Sequence, residues 1–316
     1  QAFMGHVQAN AAEAVRRGID RLQPGSHAVE LDGGAWIRVT VIPDRLARRV
    51  RVDFSGTSPQ LASNHNAPLA VTRAVVLYAF RCLVGEEIPL NAGCFEPIDL
   101  VVPPGCLLSP SHPAAVVAGN VETSQAVCNA LFGALGVQAA AQGTMNNLSF
   151  GDGAQGPSSR QYYETICGGT GGGVLADGSG YAGASAVQSH MTNSRLTDPE
   201  ILEERFPVRL EIFEVRHGSG GAGRWPGGDG VIRQLRALEP LRASLLSGSR
   251  RVPPFGLAGG EAGVCGANWL LRVDGGKELL PSCCELNLAA GEGLRIETPG
   301  GGGYGSADDE RDGQTG

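Results

Sequence analysis

The chain has 316 residues, enough for one large domain or two ordinary ones, each with its own core. Hydrophobic residues make up 42% and charged residues 18%, which excludes a fibrous or wholly disordered protein. The formal charge of −7 and the absence of a large basic cluster give no support for nucleic-acid binding, and no apolar run reaches the about 20 residues that a membrane-spanning helix needs.

The first predicted elements are a helix and a hairpin. Apolar and small residues fall at helical spacing over residues 3–22, and Pro24-Gly25 end the pattern. Residues 36–42 and 49–54 alternate with period two around the turn Pro43-Asp44, as the strands of a hairpin do. Residues 72–83 then predict a buried helix, and residues 98–102 predict a strand.

The longest predicted helix covers residues 122–141, where Ala, Leu, Val and Gln favour helix and Thr123 is a candidate cap. From Gly143 onward, Gly-rich loops join short β segments, which we place at residues 212–215, 231–235, 269–273 and 294–296. Asp198-Pro199-Glu200 predicts the start of another helix, with Thr197 or Asp198 as its cap.

These elements predict an α+β fold in which a helix-rich first part is packed with a β-rich, Gly-rich second part. We place the first part at residues 1–143 and the second at 144–305, and we expect the acidic residues 306–316 to be disordered. Because the sequence begins with Gln1 and enters a helical pattern at once, we expect it to be a fragment or a processed product. The scattered cysteines favour a reduced, cytoplasmic protein.

A polar string opens the longest helix. Gly-Asn-Val-Glu-Thr-Ser-Gln at residues 119–125 places an amide, a carboxylate and hydroxyls where free backbone N–H groups attract an anion. We therefore take Glu122 as a candidate catalytic group and Asn120, Thr123 and Gln125 as candidate substrate ligands. The alternative is that Thr123 only caps the helix.

Three further strings supply the other candidates. Asn146 and Asn147, in Gly-Thr-Met-Asn-Asn, offer amides that can hold a substrate amide by its carbonyl and N–H, although Asn is also common in turns. Glu164 and His190 are candidate acid and base, and the alternative for His190 is a buried hydrogen-bonding role. Their neighbours complete the expected substrate site: Tyr163, Thr192 and Asn193.

Nucleotide and metal sites find no support in the sequence. The glycine strings at residues 168–173 and 300–303 are not followed by Lys-Ser or Lys-Thr, so neither predicts a phosphate-binding loop. The histidines lack close partners at metal-ligand spacing, and we expect no metal in this chain.

Taken in order, these strings resemble the hydantoinase B/5-oxoprolinase family over residues 4–305. The set also includes Asp-Phe-Ser-Gly-Thr-Ser-Pro-Gln at residues 53–60 and Thr-Pro-Gly-Gly-Gly-Gly-Tyr-Gly at residues 298–305. Ser-Arg-Leu-Thr-Asp-Pro-Glu at residues 194–200 and Gly-Gly-Asp-Gly at residues 227–230 are similar to the 5-oxoprolinase branch.

The resemblance implies the C-terminal, lactam-handling portion of an ATP-dependent cyclic-amide hydrolase, which converts 5-oxoproline to glutamate or opens a hydantoin ring. It implies ATP with Mg on a hydantoinase A-like partner domain or subunit, and an oligomeric assembly. Family members carry a further N-terminal region with the expected metal and catalytic ligands, so we expect a chain that starts at Gln1 to be inactive alone. The alternatives are a subunit of an acetone- or acetophenone-carboxylase-type enzyme and a non-catalytic assembly fragment.

Overall fold

A computed structural model describes residues 2–85, 87–153 and 160–307. The chain forms two compact units: the first comprises residues up to Gln138 with Val174–Ser179, and the second comprises Ala139–Gly173 with residues from Gly180 onward. Helices and antiparallel sheets both occur, so the predicted α+β class is confirmed. The division after residue 143 stays a prediction, and residues 308–316 of the expected tail lie outside the described residues.

The first unit contains a four-stranded sheet and three α-helices. The sheet has the order β1-β2-β3-β4, with antiparallel neighbours except for the parallel pair β3–β4. The elements are α1 (Ala2–Ile19), β1 (Gly25–Glu30), β2 (Trp36–Asp44), β3 (Arg49–Asp53), α2 (Leu69–Val84), β4 (Ile98–Val101) and α3 (Thr123–Leu135), with 3-10 turns at Ala92–Phe95 and Val117–Gly119.

Buried and exposed residues alternate along β2, so the sheet packs through one of its two faces. Ile37, Val39 and Val41 are buried on one face, while the residues between them are more exposed. Strand β1, which the sequence pattern did not predict, runs so close to α3 that a Cβ on Gly25 would lie 2.0 Å from the carbonyl oxygen of Ala134. Only glycine permits that approach.

Two predicted boundaries were wrong. Helix α3 ends at Leu135 and not at residue 141, because Gly136 adopts a left-handed conformation with φ 71° and its N–H donates to the carbonyls of Phe132 and Gly133. The hairpin turn lies at residues 45–48 and not at Pro43-Asp44, because the Asp44 carboxylate accepts the N–H groups of Leu46 and Ala47, the two central residues of the turn.

The second unit is built on two sheets, with strand orders β13-β12-β15-β10-β9 and β14-β11-β5-β6. Its elements are β5 (Asn147–Gly151), β6 (Gln161–Glu164), β8 (Gly180–Tyr181), α4 (Pro199–Arg205), β9 (Val208–Arg216), β10 (Gly230–Ala237), β11 (Leu241–Leu246), β12 (Ala267–Leu271), β13 (Lys277–Leu280), β14 (Cys283–Leu288) and β15 (Gly293–Glu297). The two-residue strand β7 (Gly173–Val174) lies where the chain passes from the second unit to the first. Asp198 caps α4 by accepting the N–H of Glu200, as the Asp-Pro-Glu string predicts.

The core of the second unit draws side chains from both sheets. Leu148 and Phe150 come from β5, Val231 and Leu235 from β10, and Ile296 from β15, and all five are buried in one cluster. Side chains from both sheets fill one core, so the two sheets pack face to face as in a sandwich.

The glycine-rich segments form a separate layer of backbone-to-backbone packing in the second unit. The N–H groups of Gly300 and Gly303 donate to residues 264 and 261, whereas those of Gly301 and Tyr304 donate to residues 228 and 225. The direction of hydrogen bonding therefore repeats every three residues, as in a polyproline II helix. We call residues 298–305 the central glycine segment.

Close packing explains why these positions are glycine. A Cβ on Gly301 would lie 1.9 Å from the carbonyl oxygen of Thr170, and one on Gly302 would lie 1.9 Å from that of Phe255. The backbone groups of the string thus face neighbouring backbone, which is a structural reason why it does not form a phosphate-binding loop.

Candidate functional site

The polar string at the start of α3 lies within the first unit. Glu122 occupies the N-cap position and is 4% exposed, but its side chain makes no capping bond. The hydroxyl of Thr123 donates to the carbonyl of His65 at 2.5 Å, and the hydroxyl of Ser124 donates to the carbonyl of Asn120 at 2.6 Å. The expectation that Thr123 caps the helix is therefore wrong, because its hydroxyl is used to tie the helix to the loop that carries His65.

That loop fixes the place of the string. A Cβ on Gly119 would lie 2.3 Å from the carbonyl oxygen of Asn66, whose buried carboxamide donates to three backbone carbonyls. Gln125 is fully buried in α3, whereas Asn120 is exposed. Burial lowers the pKa of His65, partly offset by Asp32, so its imidazole is neutral at pH 7.

In the second unit, Asn146 is the centre of a buried network of amides. Its Nδ2 donates to Gln142 Oε1 at 2.7 Å and to the Ile166 carbonyl at 3.1 Å, and its Oδ1 accepts from Arg250 Nη2 at 2.8 Å. Arg250 Nη2 also donates to Asn268 Oδ1 at 3.0 Å. Asn146 has φ 46°, a left-handed conformation that Asn tolerates better than most residues.

Asn147 faces a different set of partners. Its Nδ2 donates to the carbonyl of Leu246 at 2.7 Å, and its Oδ1 accepts the hydroxyl of Tyr163 at 2.6 Å. Tyr163 is 55% exposed while Asn147 is buried. The structure thus brings together two predicted substrate ligands, Asn147 and Tyr163, at the surface of β5 and β6.

Glu164 lies in a buried ion pair. Arg233 donates from Nε to Oε1 at 2.7 Å and from Nη2 to Oε2 at 2.9 Å, and the Tyr162 hydroxyl donates to Oε2 at 2.8 Å. Burial and the nearby Glu164 raise the pKa of Tyr162 to about 12. Since both carboxylate oxygens of Glu164 are engaged, the geometry supports a structural role, and the catalytic role stays a prediction.

His190 stands on a strained turn. Its φ is 52°, and burial lowers its pKa to about 4, so the imidazole is neutral at pH 7. The Thr192 N–H donates to the Ser189 carbonyl, while Asn193 is exposed. His190, Thr192 and Asn193 are close in the sequence, and the catalytic role of the first and the substrate-binding roles of the other two stay predictions.

The low pKa of His190 predicts an acid-sensitive fold. The unfolded chain binds a proton near pH 6.5 and the folded chain only near 4, so His190 weakens the fold as pH falls through that window. We expect His190→Asn, which tolerates positive φ, to flatten the loss of stability between pH 7 and 4.5 in urea unfolding. The control is His217→Asn, whose side chain is 87% exposed. Equal slopes for His190→Asn and the unchanged chain would contradict this assignment.

Sequence patterns missed several polar residues of the second unit. Four polar residues lie outside the strings that we singled out: Gln142, Arg233, Arg250 and Asn268. Arg233 and Arg250 bind residues 69 and 104 positions away, whereas Gln142 binds Asn146, four positions away. Asp229 lies in the Gly-Gly-Asp-Gly string, which resembles the 5-oxoprolinase branch, but the sequence pattern predicts no contact for it. Its carboxylate accepts the N–H groups at residues 219 and 220 and so holds the preceding glycine turn.

The described part of the chain contains neither a metal-binding cluster nor a membrane-spanning helix. No group of three or more His, Cys, Asp or Glu side chains there is arranged to hold a metal ion. No helix among these residues has the length and apolar character needed to cross a bilayer.

Known proteins are similar to this chain in sequence or in fold. A 5-oxoprolinase of Arabidopsis thaliana is 44% identical over 97% of the chain and 25% of its own length. An ATP-dependent caprolactamase from Pseudomonas jessenii superposes with a TM-score of 0.75 at 22% identity, over 96% of this chain and 56% of the other. An acetone carboxylase gives a TM-score of 0.77 at 16% identity, over 93% and 47% of the two chains.

The chain spans about a quarter of the length of the curated 5-oxoprolinase relatives that it matches. The model of the family described as hydantoinase B/oxoprolinase matches residues 1–307, nearly the whole sequence. Together with the identity to named 5-oxoprolinases, this match confirms the resemblance carried by the polar strings. The chain belongs to the hydantoinase B/oxoprolinase family.

Proposed function

We propose that the chain is the lactam-handling portion of a cyclic-amide hydrolase that converts 5-oxoproline to glutamate. The single observation that carries this proposal is the 44% identity to a named 5-oxoprolinase over 97% of the chain. In this proposal the assembly is cytoplasmic and oligomeric, and a hydantoinase A-like domain or subunit is the partner. The alternative substrate within the same proposal is a hydantoin, whose ring would be opened by the same kind of amide hydrolysis.

ATP and Mg belong on that partner in this proposal. This placement is supported by the two glycine strings, which contact neighbouring backbone and are not followed by Lys-Ser or Lys-Thr. A metal in a preceding region of the family's longer proteins is part of the same proposal. This chain contributes polar side chains that can hold and orient an amide.

The polar residues support such a role by their chemistry. A lactam offers a carbonyl acceptor and an N–H donor, and carboxamides supply the matching groups. Glu122 adds a buried carboxylate and Asn147 and Tyr163 add a polar pair, and we propose that they serve substrate handling. Within the first unit, Asn120, Thr123 and Gln125 keep their proposed substrate-binding roles beside Glu122. Within the second unit, the remaining candidates keep their proposed roles: Asn146, Glu164, His190, Thr192 and Asn193.

A second candidate is a subunit of an acetone-carboxylase-type enzyme, favoured by the TM-score of 0.77 to an acetone carboxylase. An assay of the full-length assembly separates the two. We expect ATP-dependent release of glutamate from 5-oxoproline and no consumption of acetone with bicarbonate. The opposite result would replace the proposal with the carboxylase alternative. If neither 5-oxoproline nor acetone is consumed and the chain still binds its partner stably, the result would support a non-catalytic role in assembly.

Glu122→Gln tests the proposed catalytic carboxylate in the same assay. The change keeps the shape of the side chain and removes a helix-dipole interaction that is worth about 0.3–1 kcal/mol, so the melting temperature should hardly move. Loss of a positioned base or water-orienting group typically lowers the rate by about 10²–10⁴. Normal turnover of 5-oxoproline would show that Glu122 only occupies the helix start.

A further inference from the structure

Gln142 is a buried carboxamide with one unused donor. Its side chain is fully buried, and its Oε1 accepts Asn146 Nδ2 at 2.7 Å. Among the described residues, its Nε2 has no hydrogen-bond acceptor. Buried polar groups are rarely left unbonded, so this donor calls for a physical explanation.

The orientation of Gln142 is fixed by a chain of donors and acceptors. The guanidinium of Arg250 can only donate, so the atom of Asn146 that faces it must be the acceptor Oδ1. Asn146 therefore turns Nδ2 towards Gln142 and the Ile166 carbonyl. Gln142 must therefore present its acceptor Oε1 to Asn146 Nδ2, because a flip of the Gln142 amide would place its donor Nε2 against the donor Nδ2. The unused Nε2 is a consequence of the whole network.

The surroundings of Gln142 are built to hold this arrangement. Asn146 and Ser249 adopt left-handed conformations, with φ 46° and 52°, on either side of the Arg250 contact. A Cβ on Gly168 would lie 2.0 Å from Gln142 Oε1, so only glycine fits beside the carboxamide. Strained backbone that positions a buried polar network is typical of ligand-binding sites.

We propose that Gln142 Nε2 binds the carbonyl oxygen of a cyclic amide. The donor is uncharged and fully buried, which favours a neutral acceptor, since a buried carboxylate needs a compensating charge. This proposal rests on the proposed function and names a specificity-determining residue for it. Arg250 is a partly exposed member of the network, so the proposal requires its side chain to move when a ligand reaches Gln142.

Gln142→Glu is the test, in the full-length assembly, with 5-oxoproline as the probe. Glutamate keeps an oxygen for Asn146 and replaces the free donor by an oxygen. At pH 8 we expect the dissociation constant measured by calorimetry to rise about tenfold or more, as loss of one buried hydrogen bond implies. At lower pH the protonated carboxyl donates again, and affinity should recover. The control is Gln234→Glu, the same change at a glutamine outside the network.

The outcomes separate this proposal from the proposed function. Equal affinity of Gln142→Glu and the unchanged enzyme at both pH values overturns the role of Gln142 but leaves 5-oxoproline as substrate. An enzyme that neither binds nor hydrolyses 5-oxoproline overturns both. If Gln142→Glu does not fold, a crystal structure of the unchanged enzyme with 5-oxoproline decides: the lactam oxygen at Nε2 supports the proposal, and a water there in both free and bound enzyme overturns it.

Discussion

Gly301→Ala is expected to prevent stable folding of the second unit. The new Cβ would lie 1.9 Å from the carbonyl oxygen of Thr170 and 2.3 Å from its carbonyl carbon. These are backbone atoms within the layer around the central glycine segment, so no side chain can rotate out of the way. Overpacking costs about 1–3 kcal/mol where side chains can adjust, and we expect at least the upper end of that range here.

Urea unfolding followed by tryptophan fluorescence measures the effect. Trp36 lies in the first unit, and Trp225 and Trp269 lie in the second, so a Trp36→Phe background reports on the second unit alone. Gly33→Ala is the control, since a Cβ there meets nothing within 4 Å. An unfolding midpoint for Gly301→Ala equal to that of the control would show that the segment tolerates a side chain.

Glu164→Gln is expected to destabilise the second unit by about 3–5 kcal/mol, the usual effect of removing one partner from a buried ion pair. Arg233 is 1% exposed and would keep its charge without the carboxylate that balances it. The Tyr162 hydroxyl would lose its charged acceptor as well. Unfolding in urea provides the free energy, and the loss should be present at neutral pH without any substrate.

The double variant Glu164→Gln/Arg233→Met provides the decisive comparison. Replacing both charges removes the unbalanced cation, so we expect the double variant to be more stable than Glu164→Gln alone. A purely catalytic Glu164 would instead leave unfolding unchanged in the single variant. That result would also return Glu164 to the acid–base role that the Tyr-Tyr-Glu-Thr string suggested.

Elements with a strong local pattern were predicted from the sequence. The alternation of β2 and the helical spacing of α2 are local, and both elements were confirmed to within a few residues. Strand β1 was missed because its residues are intermediate in burial and have no clear period. Helix α3 was extended too far because its small residues continue past Gly136, where backbone conformation and not composition ends it.

The candidate site was harder to predict because its contacts are far apart in the sequence. Asn146 and Arg250 are separated by 104 residues, and Glu164 and Arg233 by 69. A local sequence pattern does not predict which cationic side chain will bind which carboxylate or amide. The polar strings therefore located Asn146 and Glu164, whereas their partners became visible only in the folded unit.

The three-residue repeat of the central glycine segment restricts how its length can change. Gly300 and Gly303 donate in one direction, while Gly301 and Tyr304 donate in another. Deleting one residue would turn every following N–H by about 120°, away from its acceptor, since the helix has three residues per turn. Deleting three would restore the directions and shorten the segment by one turn. Insertions and deletions in this segment should therefore come in multiples of three residues, a constraint that single substitutions do not test.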